Sequence, residues 1–133
     1  MNKIMALDVG EKRIGIALSD FLHVIAIPHS YIARVPEKDA LKKINEIAQE
    51  NKVDTIVVGL PINMDGTQGH QAEDCLGFAE KLKSDYTVIM EDERLTSDTA
   101  EENLRQKKID FKKDKGLVDI ESACIILEQY LNK

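Results

Sequence analysis

The acidic residues of this chain are its clearest candidates for chemistry. Asp8 follows an apolar run at positions 4–7, three acidic residues occur together at positions 91–93, and Asp119 lies near the start of a late apolar segment. A set of Asp and Glu without matching His or Cys ligands favours hard, oxygen-binding cations such as Mg²⁺ or Mn²⁺. Carboxylates from separate elements that meet at one sheet edge can hold two such ions about 4 Å apart, an arrangement suited to phosphodiester hydrolysis.

Each of these acidic residues also has a purely structural interpretation. Asp8 could accept hydrogen bonds from the backbone amides of a turn, and Asp119 could offset the dipole of the last helix. Because side chains alternate along a strand, residues 91–93 cannot all face the same side. The sequence therefore leaves open whether Asp92 or Glu93 would face the other carboxylates.

Basic residues stand close to these carboxylates in the sequence. Lys12 and Arg13 follow Asp8, and Arg94 follows the acidic run, so each could position a phosphate. A second basic segment leads directly to Asp119 and contains Lys107, Lys108, Lys112, Lys113 and Lys115. Lysines next to a candidate metal ligand favour phosphate contact, although a solvated loop would have the same composition.

Several polar residues follow the fourth predicted strand, close to the same sheet edge. They are Asn63, Thr67, Gln68 and His70. His70 could contact phosphate or shuttle a proton near neutral pH, or it could face water at a helix start. The chain has three Tyr, three Phe and no Trp, so a base-stacking platform of the single-strand-binding kind is poorly supported. This favours recognition through backbone and shape.

The whole chain has the composition of one globular domain spanning residues 1–133. It is 43% hydrophobic and 32% charged, with a net charge of −6 that argues against general coating of nucleic acid. Apolar runs fall short of the roughly 18 residues that a membrane span needs, and no signal-peptide pattern is present, so we expect a cytoplasmic protein. Cys75 and Cys124 fall at apolar helical positions, which predicts core residues, not a disulfide or a metal pair.

Alternating strand and helix signals predict an α/β fold. Five strands are predicted, at residues 4–7, 14–18, 24–32, 53–60 and 86–90. Helices are predicted after Pro36, over 72–82, from Thr96, Ser97 or Asp98 through Leu104, and from about Leu117 to Leu131. The first two strands form a hairpin around a charged tip, and Pro28 assigns the third strand to a sheet edge.

The order of these elements, β-β-β-α-β-α-β-α followed by the last helix, predicts a five-stranded mixed sheet. Hairpins make the first three strands antiparallel, and right-handed crossovers put the fourth beside the first and the fifth beyond it, in the order 3-2-1-4-5. Ligands bind beyond the carboxyl ends of the strands where such an order reverses. Asp8, residues 59–61 and residues 91–94 end the first, fourth and fifth strands at that point.

Four motifs together resemble one protein family. They are KIMALDVGEKRIGIALSD, VVGLPINMDGTQG, DERLTS and VDIESACIILEQYL, and they span nearly the whole chain. In this order they are similar to the YqgF/RuvX family, ribonuclease H-like proteins described as Holliday junction resolvases and as pre-16S rRNA nucleases. The resemblance implies a ribonuclease H-like fold and a divalent-metal nuclease whose acidic positions are Asp8, Glu93 and Asp119. The sequence departs from the family pattern at Ser97, where Thr is frequent, and at Glu121, in a usually apolar segment. Neither departure changes one of the three acidic positions.

The resemblance leads us to expect a two-metal nuclease that matures the 5′ end of pre-16S rRNA. Asp8 would bridge both ions, Mg²⁺ or Mn²⁺, and Glu93 and Asp119 would complete their shell. The expected substrate-binding residues are Lys12, Arg13, Asn63, Arg94, Lys112, Lys113 and Lys115. The expected partners are structured RNA or branched DNA and a ribosomal subunit precursor, with the chain itself a monomer or weak homodimer.

Three alternatives to this function stay open at the level of sequence. The first is a resolvase of four-way DNA junctions, and the second is a nucleic-acid-binding module without turnover. The third is a fragment of a phosphate-binding ATPase or kinase, because the hairpin from Asp8 to Gly15 resembles the phosphate hairpin of actin-like and sugar-kinase folds. Those enzymes need a second lobe to enclose the nucleotide, and this chain is too short to supply one.

Overall fold

The computed structural model describes residues 2–63, 65–93 and 96–133, with nothing described for the side chain of Ser97. Arg94, one of the expected phosphate ligands, lies outside these residues. The five strands are β1 (Lys3–Val9), β2 (Arg13–Ser19), β3 (Ala26–Ala33), β4 (Val53–Pro61) and β5 (Thr87–Glu93). The helices are α1 (Glu37–Glu50), α2 (His70–Glu80), α3 (Thr96–Gln106) and α4 (Gly116–Leu131).

The strands form one mixed sheet in the order β3-β2-β1-β4-β5, which confirms the predicted topology. β1 is antiparallel to β2 and parallel to β4, and β5 is parallel to β4. Pro28 lies on the edge strand β3, as predicted. The start of that strand is a correction: it begins at Ala26, not Val24, because the amides of Val24 and Ile25 donate to the Asp20 side chain.

Helices cover both faces of the sheet. Alternate residues of β1 face opposite helix layers: Met5 and Leu7 share a buried cluster with residues of α1 and α2, whereas Ile4 and Ala6 share one with residues of α4. This alternation follows from the two-residue period of a strand. Asp8 continues the series of Ile4 and Ala6, so it belongs to the face that α4 covers.

Both cysteines are core residues, as their apolar surroundings predict. Cys75 is buried in the cluster formed with α1 and α2, Cys124 is buried on α4, and both are free thiols. Burial raises the pKa of each thiol to about 12. Both thiols are therefore protonated at neutral pH in the metal-free chain.

The lengths and compositions of the helices bear on membrane insertion. In the parts of the chain that the structure describes, no helix is both long and apolar enough to span a membrane.

Candidate active site

Asp8 lies next to the end of β1, at the centre of the carboxyl edge of the sheet. Its partner across the β1–β2 ladder is Gly15, and β4 lies on its other side. Two hydrophobic strands therefore flank this carboxylate, and α4 covers its face of the sheet. Such surroundings disfavour ionisation of a carboxylate unless positive charge is supplied nearby.

Glu93 reaches towards Asp8 although its strand, β5, is two positions away in the sheet. The side chain lies over Gly59 of β4, since a Cβ atom built on Gly59 would be 2.6 Å from Oε2 of Glu93. Any side chain at this position would occupy the space that the carboxylate uses. The missing side chain of Gly59 thus lets Glu93 cross β4 and share the α4 face with Asp8.

The three acidic residues of β5 lie on alternate faces of the sheet. Ile89 packs in the cluster on the α4 face, whereas Val88 and Met90 pack on the opposite face. Glu91 and Glu93 follow Ile89 at two-residue spacing, and Asp92 follows Met90. Glu91 is buried and accepts a hydrogen bond from Nζ of Lys133 at 2.7 Å. Glu93 is consequently the acidic residue of the run that the strand directs towards Asp8.

Asp119 joins the other two carboxylates from the first turn of α4. The helix approaches β2 closely at Gly15, where an added Cβ would be 1.9 Å from the carbonyl oxygen of Asp119. Because Gly15 is also the ladder partner of Asp8, this contact fixes Asp119 beside the end of β1. Nε of Arg13 donates to Oδ2 of Asp119 at 2.7 Å.

The three carboxylates line one open cavity of about 540 Å³. We call this the acidic cavity, because its lining includes six carboxylates: Asp8, Glu11, Asp74, Glu93, Asp98 and Asp119. Among the described residues that line it, there is no Lys or Arg side chain. An anionic substrate would therefore meet strong repulsion here unless cations were bound first.

The electrostatics of the cavity centre on Asp8. Burial raises the pKa of Asp8 well above its ordinary value, and the charges of Glu93 and then Asp119 raise it further. Burial raises the pKa of Glu93 to about 7, partly offset by the Thr96 hydroxyl. Burial also raises the pKa of Asp119, although the hydrogen bond from Arg13 acts in the opposite direction. Neighbouring carboxylates that resist ionisation in this way gain most from a bound cation.

The donor set suits a divalent cation that prefers oxygen ligands. Carboxylate oxygens are the ligands that Mg²⁺ and Mn²⁺ favour. Within residues 2–63, 65–93 and 96–133, no three His, Cys, Asp or Glu side chains are arranged to enclose one ion by themselves. Mg²⁺ commonly takes one or two carboxylates and fills its remaining positions with water and substrate phosphate, so the open acidic cavity fits that mode of binding.

Of the four polar residues expected after β4, Asn63 and His70 line the acidic cavity, whereas Thr67 and Gln68 are not part of its lining. Asn63 lies on its wall, and its amide donates to Oγ1 of Thr67 at 3.0 Å. His70 begins α2, is exposed to solvent and lines the same cavity. The structure thus brings Asn63 and His70 together with the carboxylates.

The expected basic residues divide into separate groups. Arg13, Lys112 and Lys115 line a second cavity of about 400 Å³, together with Phe111 and Asp119. We call this the basic cavity. Two further residues complete its lining, Glu101 and Val118. Lys12 and Lys113 are exposed and line neither cavity.

Sequence reasoning gave no site role to several residues of this region. They are Glu11, Asp74 and Asp98 of the acidic cavity, Phe111 of the basic cavity, and Gly59, which it placed only at the end of β4. Gly59 has a detectable signal, since a glycine inside an otherwise apolar strand indicates close approach of another group. Phe111 lies in a segment dominated by charge, where a single aromatic residue gives no periodic pattern. Its position in the basic cavity depends on how the segment between α3 and α4 folds.

The fold and the site together define a class of protein. The mixed sheet in the order β3-β2-β1-β4-β5, with acidic residues gathered on its α4 face, is a ribonuclease H-like fold with a carboxylate site. A family model described as "RuvX: Holliday junction resolvase" matches residues 2–133. The chain therefore belongs to the RuvX family.

Sequence relatives match this chain over nearly the whole length of both proteins. A protein of Endomicrobium trichonymphae named "Putative pre-16S rRNA nuclease" is 46% identical over 135 residues, covering 99% of this chain and 96% of its own. A protein of Clostridium acetobutylicum with the same name is 44% identical and covers 98% of both chains.

Solved structures share the fold at low sequence identity. A Fowlpox virus resolvase bound to Holliday junction DNA is 14% identical with a TM-score of 0.60, covering 98% of this chain and 97% of the viral one. The RuvC protein of T. thermophilus, bound to a Holliday junction substrate, is 10% identical with a TM-score of 0.53 and covers 98% and 94%. At these identities the likeness concerns the fold alone.

Proposed function

We propose that this chain is a divalent-metal-dependent nuclease that matures the 5′ end of pre-16S rRNA. The observation that carries the proposal is the convergence of Asp8, Glu93 and Asp119 on one open cavity, with pKa values raised by burial and, for Asp8, by the two other charges. Three carboxylates in this state are a costly feature for a purely structural site, and cations would relieve that cost.

Asp8, Glu93 and Asp119 are the residues that would hold Mg²⁺ or Mn²⁺. When bound, two such ions activate a water molecule and stabilise the leaving oxygen of a phosphodiester. Asp8 is the residue through which a shared site would be built, because its pKa responds to both of the other carboxylates. Glu93 and Asp119 approach it from β5 and α4, on either side.

Other residues of the chain would position the substrate strand. Asn63 and His70 line the acidic cavity and offer hydrogen-bonding groups near the reacting phosphate. Lys112 and Lys115 line the neighbouring basic cavity, where they would attract the flanking phosphates. Arg13 also lines the basic cavity and is held at 2.7 Å by Asp119, which lines both cavities, so it would stay in place as the RNA enters.

The names of full-length relatives favour ribosomal RNA as the substrate. Proteins 46% and 44% identical to this chain carry a pre-16S rRNA nuclease name. The proposal includes a cytoplasmic location and a ribosomal subunit precursor as partner. A specific finding also favours a second candidate, cleavage of four-way DNA junctions, since the matching family model is described as a Holliday junction resolvase.

A cleavage assay in Mg²⁺ and in Mn²⁺ would test the proposal. Its substrates would be a 5′-extended small-subunit rRNA precursor and a synthetic four-way DNA junction. We expect the wild-type chain to trim the RNA and Asp8→Asn to abolish the reaction while keeping the native circular dichroism spectrum. Asp39→Asn is the matched control, because Asp39 is exposed on α1 and lines neither cavity.

The possible results separate the two candidate functions. Metal-dependent trimming of the precursor that Asp8→Asn loses and Asp39→Asn retains would support the nuclease of pre-16S rRNA. Paired symmetric nicks in the junction, with the RNA left intact, would favour the resolvase. A folded Asp8→Asn chain that still cleaves would contradict the assignment of the ion-binding residues.

A further inference from the structure

The basic cavity and the acidic cavity share one residue, Asp119. Their electrostatics are opposite, since the acidic cavity has no Lys or Arg in its described lining and the basic cavity has Arg13, Lys112 and Lys115. Glu101 is the second carboxylate of the basic cavity. A nucleic acid strand that passes from the acidic cavity to the basic cavity would therefore leave the carboxylates and meet three cationic side chains.

Phe111 gives the basic cavity an aromatic wall. Its ring is half-buried, and the Arg105 guanidinium lies 5.5 Å from the ring centroid, within the range of a cation–π contact. Arg105 is itself held near Glu102 at 3.6 Å. The ring is therefore braced by the end of α3, although the segment that carries it has no regular secondary structure.

The segment that follows Phe111 is also locally ordered. The Lys112 amide donates to Oδ1 of Asp110 at 2.9 Å, and the Gly116 amide donates to Oδ1 of Asp114 at 3.2 Å. Lys115 is the N-cap residue of α4, directly before its first residue. The backbone positions of both cavity lysines are consequently set by short-range contacts before any ligand binds.

We propose that the basic cavity binds the nucleotide next to the cleaved phosphodiester, with its base stacked on Phe111 and its phosphate held by Lys112 and Lys115. This inference rests on the proposed nuclease function, because it takes the acidic cavity as the place of cleavage. A volume of about 400 Å³ is in the range of small-ligand sites. An aromatic ring beside phosphate-binding cations is the combination that single-stranded nucleic acids use.

This arrangement favours a nucleotide over a simple anion. An inorganic anion would interact with the lysines alone and would gain little from an aromatic ring. A base and its phosphate use both parts of the cavity. The low aromatic content of the chain disfavours an extended stacking platform, yet it is compatible with a single stacking position beside the carboxylates.

The chain offers a direct optical test, because it contains no Trp. Phe111→Trp would put a single tryptophan into the cavity wall. We would titrate it with a short single-stranded RNA in EDTA, so that binding is measured without metal and without cleavage. We expect saturable quenching of the tryptophan fluorescence, and inorganic phosphate alone should leave the fluorescence unchanged at concentrations that compete with the RNA.

Substitutions then separate the two parts of the cavity. By fluorescence anisotropy of labelled RNA, Phe111→Leu should weaken binding about tenfold. Lys112→Ala and Lys115→Ala should each weaken it and reduce the slope of log affinity against log salt by about 0.7. Lys108→Ala is the matched control, since Lys108 is an exposed lysine of the same basic segment that lines neither cavity.

The result that would overturn the inference is RNA binding that is equally sensitive to Lys108 and Lys112, or insensitive to Phe111→Leu in a folded chain. Binding and cleavage are measured separately, so failure of the inference and failure of the proposed function can be told apart. Binding at the cavity without any cleavage of the precursor would retain the nucleotide site on Phe111 but contradict the nuclease, and with it the position of that site beside a cleaved phosphodiester. Cleavage that depends on Asp8, with normal RNA binding by all cavity variants, would support the nuclease and contradict the nucleotide site in the basic cavity.

Discussion

Gly15 lies directly against the backbone of Asp119. A Cβ atom on Gly15 would be 1.9 Å from the carbonyl oxygen of Asp119 and 2.2 Å from its carbonyl carbon. Since Gly15 is the ladder partner of Asp8, the same contact determines how close α4 comes to the carboxyl edge of the sheet. The separation of two candidate metal ligands thus depends on a residue that has no side chain.

Gly15→Ala should damage both stability and activity. The atoms that a methyl group would meet belong to the backbone of α4, so no side-chain rotation can relieve the overlap and the helix must move. Overpacking of this kind costs about 1–3 kcal/mol. We expect a lower free energy of unfolding in urea and at least about a tenfold loss of cleavage rate, because a displacement of about 1 Å can reduce catalysis a hundredfold.

Gly77→Ala provides the matched control for that substitution. Gly77 lies inside α2 and is exposed, and a Cβ atom added there would meet nothing within 4 Å. Alanine should therefore stabilise the helix by about 0.5–1 kcal/mol and leave cleavage unchanged. Similar stabilities for the Gly15→Ala and Gly77→Ala chains would show that the contact with α4 is unimportant.

Gly59→Ala should affect the site more than the fold. The new methyl group would be 2.5 Å from Cδ1 of Ile126 and 2.6 Å from Oε2 of Glu93, and both are the ends of flexible side chains. These ends can rotate away, so we expect only a modest loss of stability. The Glu93 carboxylate would be displaced from Asp8, and the affinity for Mn²⁺ measured by calorimetry should fall together with cleavage. An unchanged Mn²⁺ affinity would contradict the route of Glu93 over β4.

The stability of the metal-free chain should fall as the pH rises through the range of Glu93. Its pKa in the folded chain is about 7, above the ordinary value of 4.5, so between these values the native state holds more protons than the unfolded state. Stability then decreases with rising pH, by at most about 1.4 kcal/mol per unit of pKa difference. The raised pKa of Asp8 acts in the same direction. Urea unfolding in EDTA, at a series of pH values between about 5 and about 8, would measure this decrease.

Divalent cations should reverse this trend. Mg²⁺ or Mn²⁺ binds the ionised carboxylates of the native state, so the rise in melting temperature on adding metal should be largest above about pH 7 and small near about pH 5. Asp8→Asn should be more stable than the wild type at neutral pH without metal, because it removes a carboxylate whose ionisation is opposed first by burial and then by the charges of Glu93 and Asp119. It should also lose most of the stabilisation by metal. A stability in EDTA that is independent of pH would contradict the raised pKa values of Asp8 and Glu93.

The sequence predicted the sheet order, the edge position of β3 and the buried cysteines, because these depend on apolar runs, proline and connection handedness. It left Asp92 and Glu93 unresolved. Both faces of β5 are partly apolar, so the sequence does not show which alternate residues face α4. The structure shows that Ile89 does, and Glu93 lies on the same face as Ile89. Long-range contacts such as Glu93 over Gly59 have no local signature in the chain.

Lys107 shows a different reason why composition cannot assign a role. It belongs to the lysine cluster that the sequence connects with phosphate, yet its Nζ lies 3.1 Å from Oε1 of Glu121. The Glu121 side chain is only 11% exposed, whereas that of Lys107 is 56% exposed. The lysine therefore compensates a nearly buried carboxylate on α4, and the unusual Glu121 is accommodated by this pair.

Lys107→Met should accordingly lower stability without weakening RNA binding. It leaves the Glu121 carboxylate nearly buried and without its cation, which we expect to cost about 1 kcal/mol after allowance for the solvent around Lys107. Adding Glu121→Gln to Lys107→Met should recover part of that loss, since the uncompensated charge is removed. Urea unfolding of both single variants and the double variant would measure the coupling. A loss of RNA affinity comparable to that of Lys112→Ala, with normal stability, would instead assign Lys107 to the substrate.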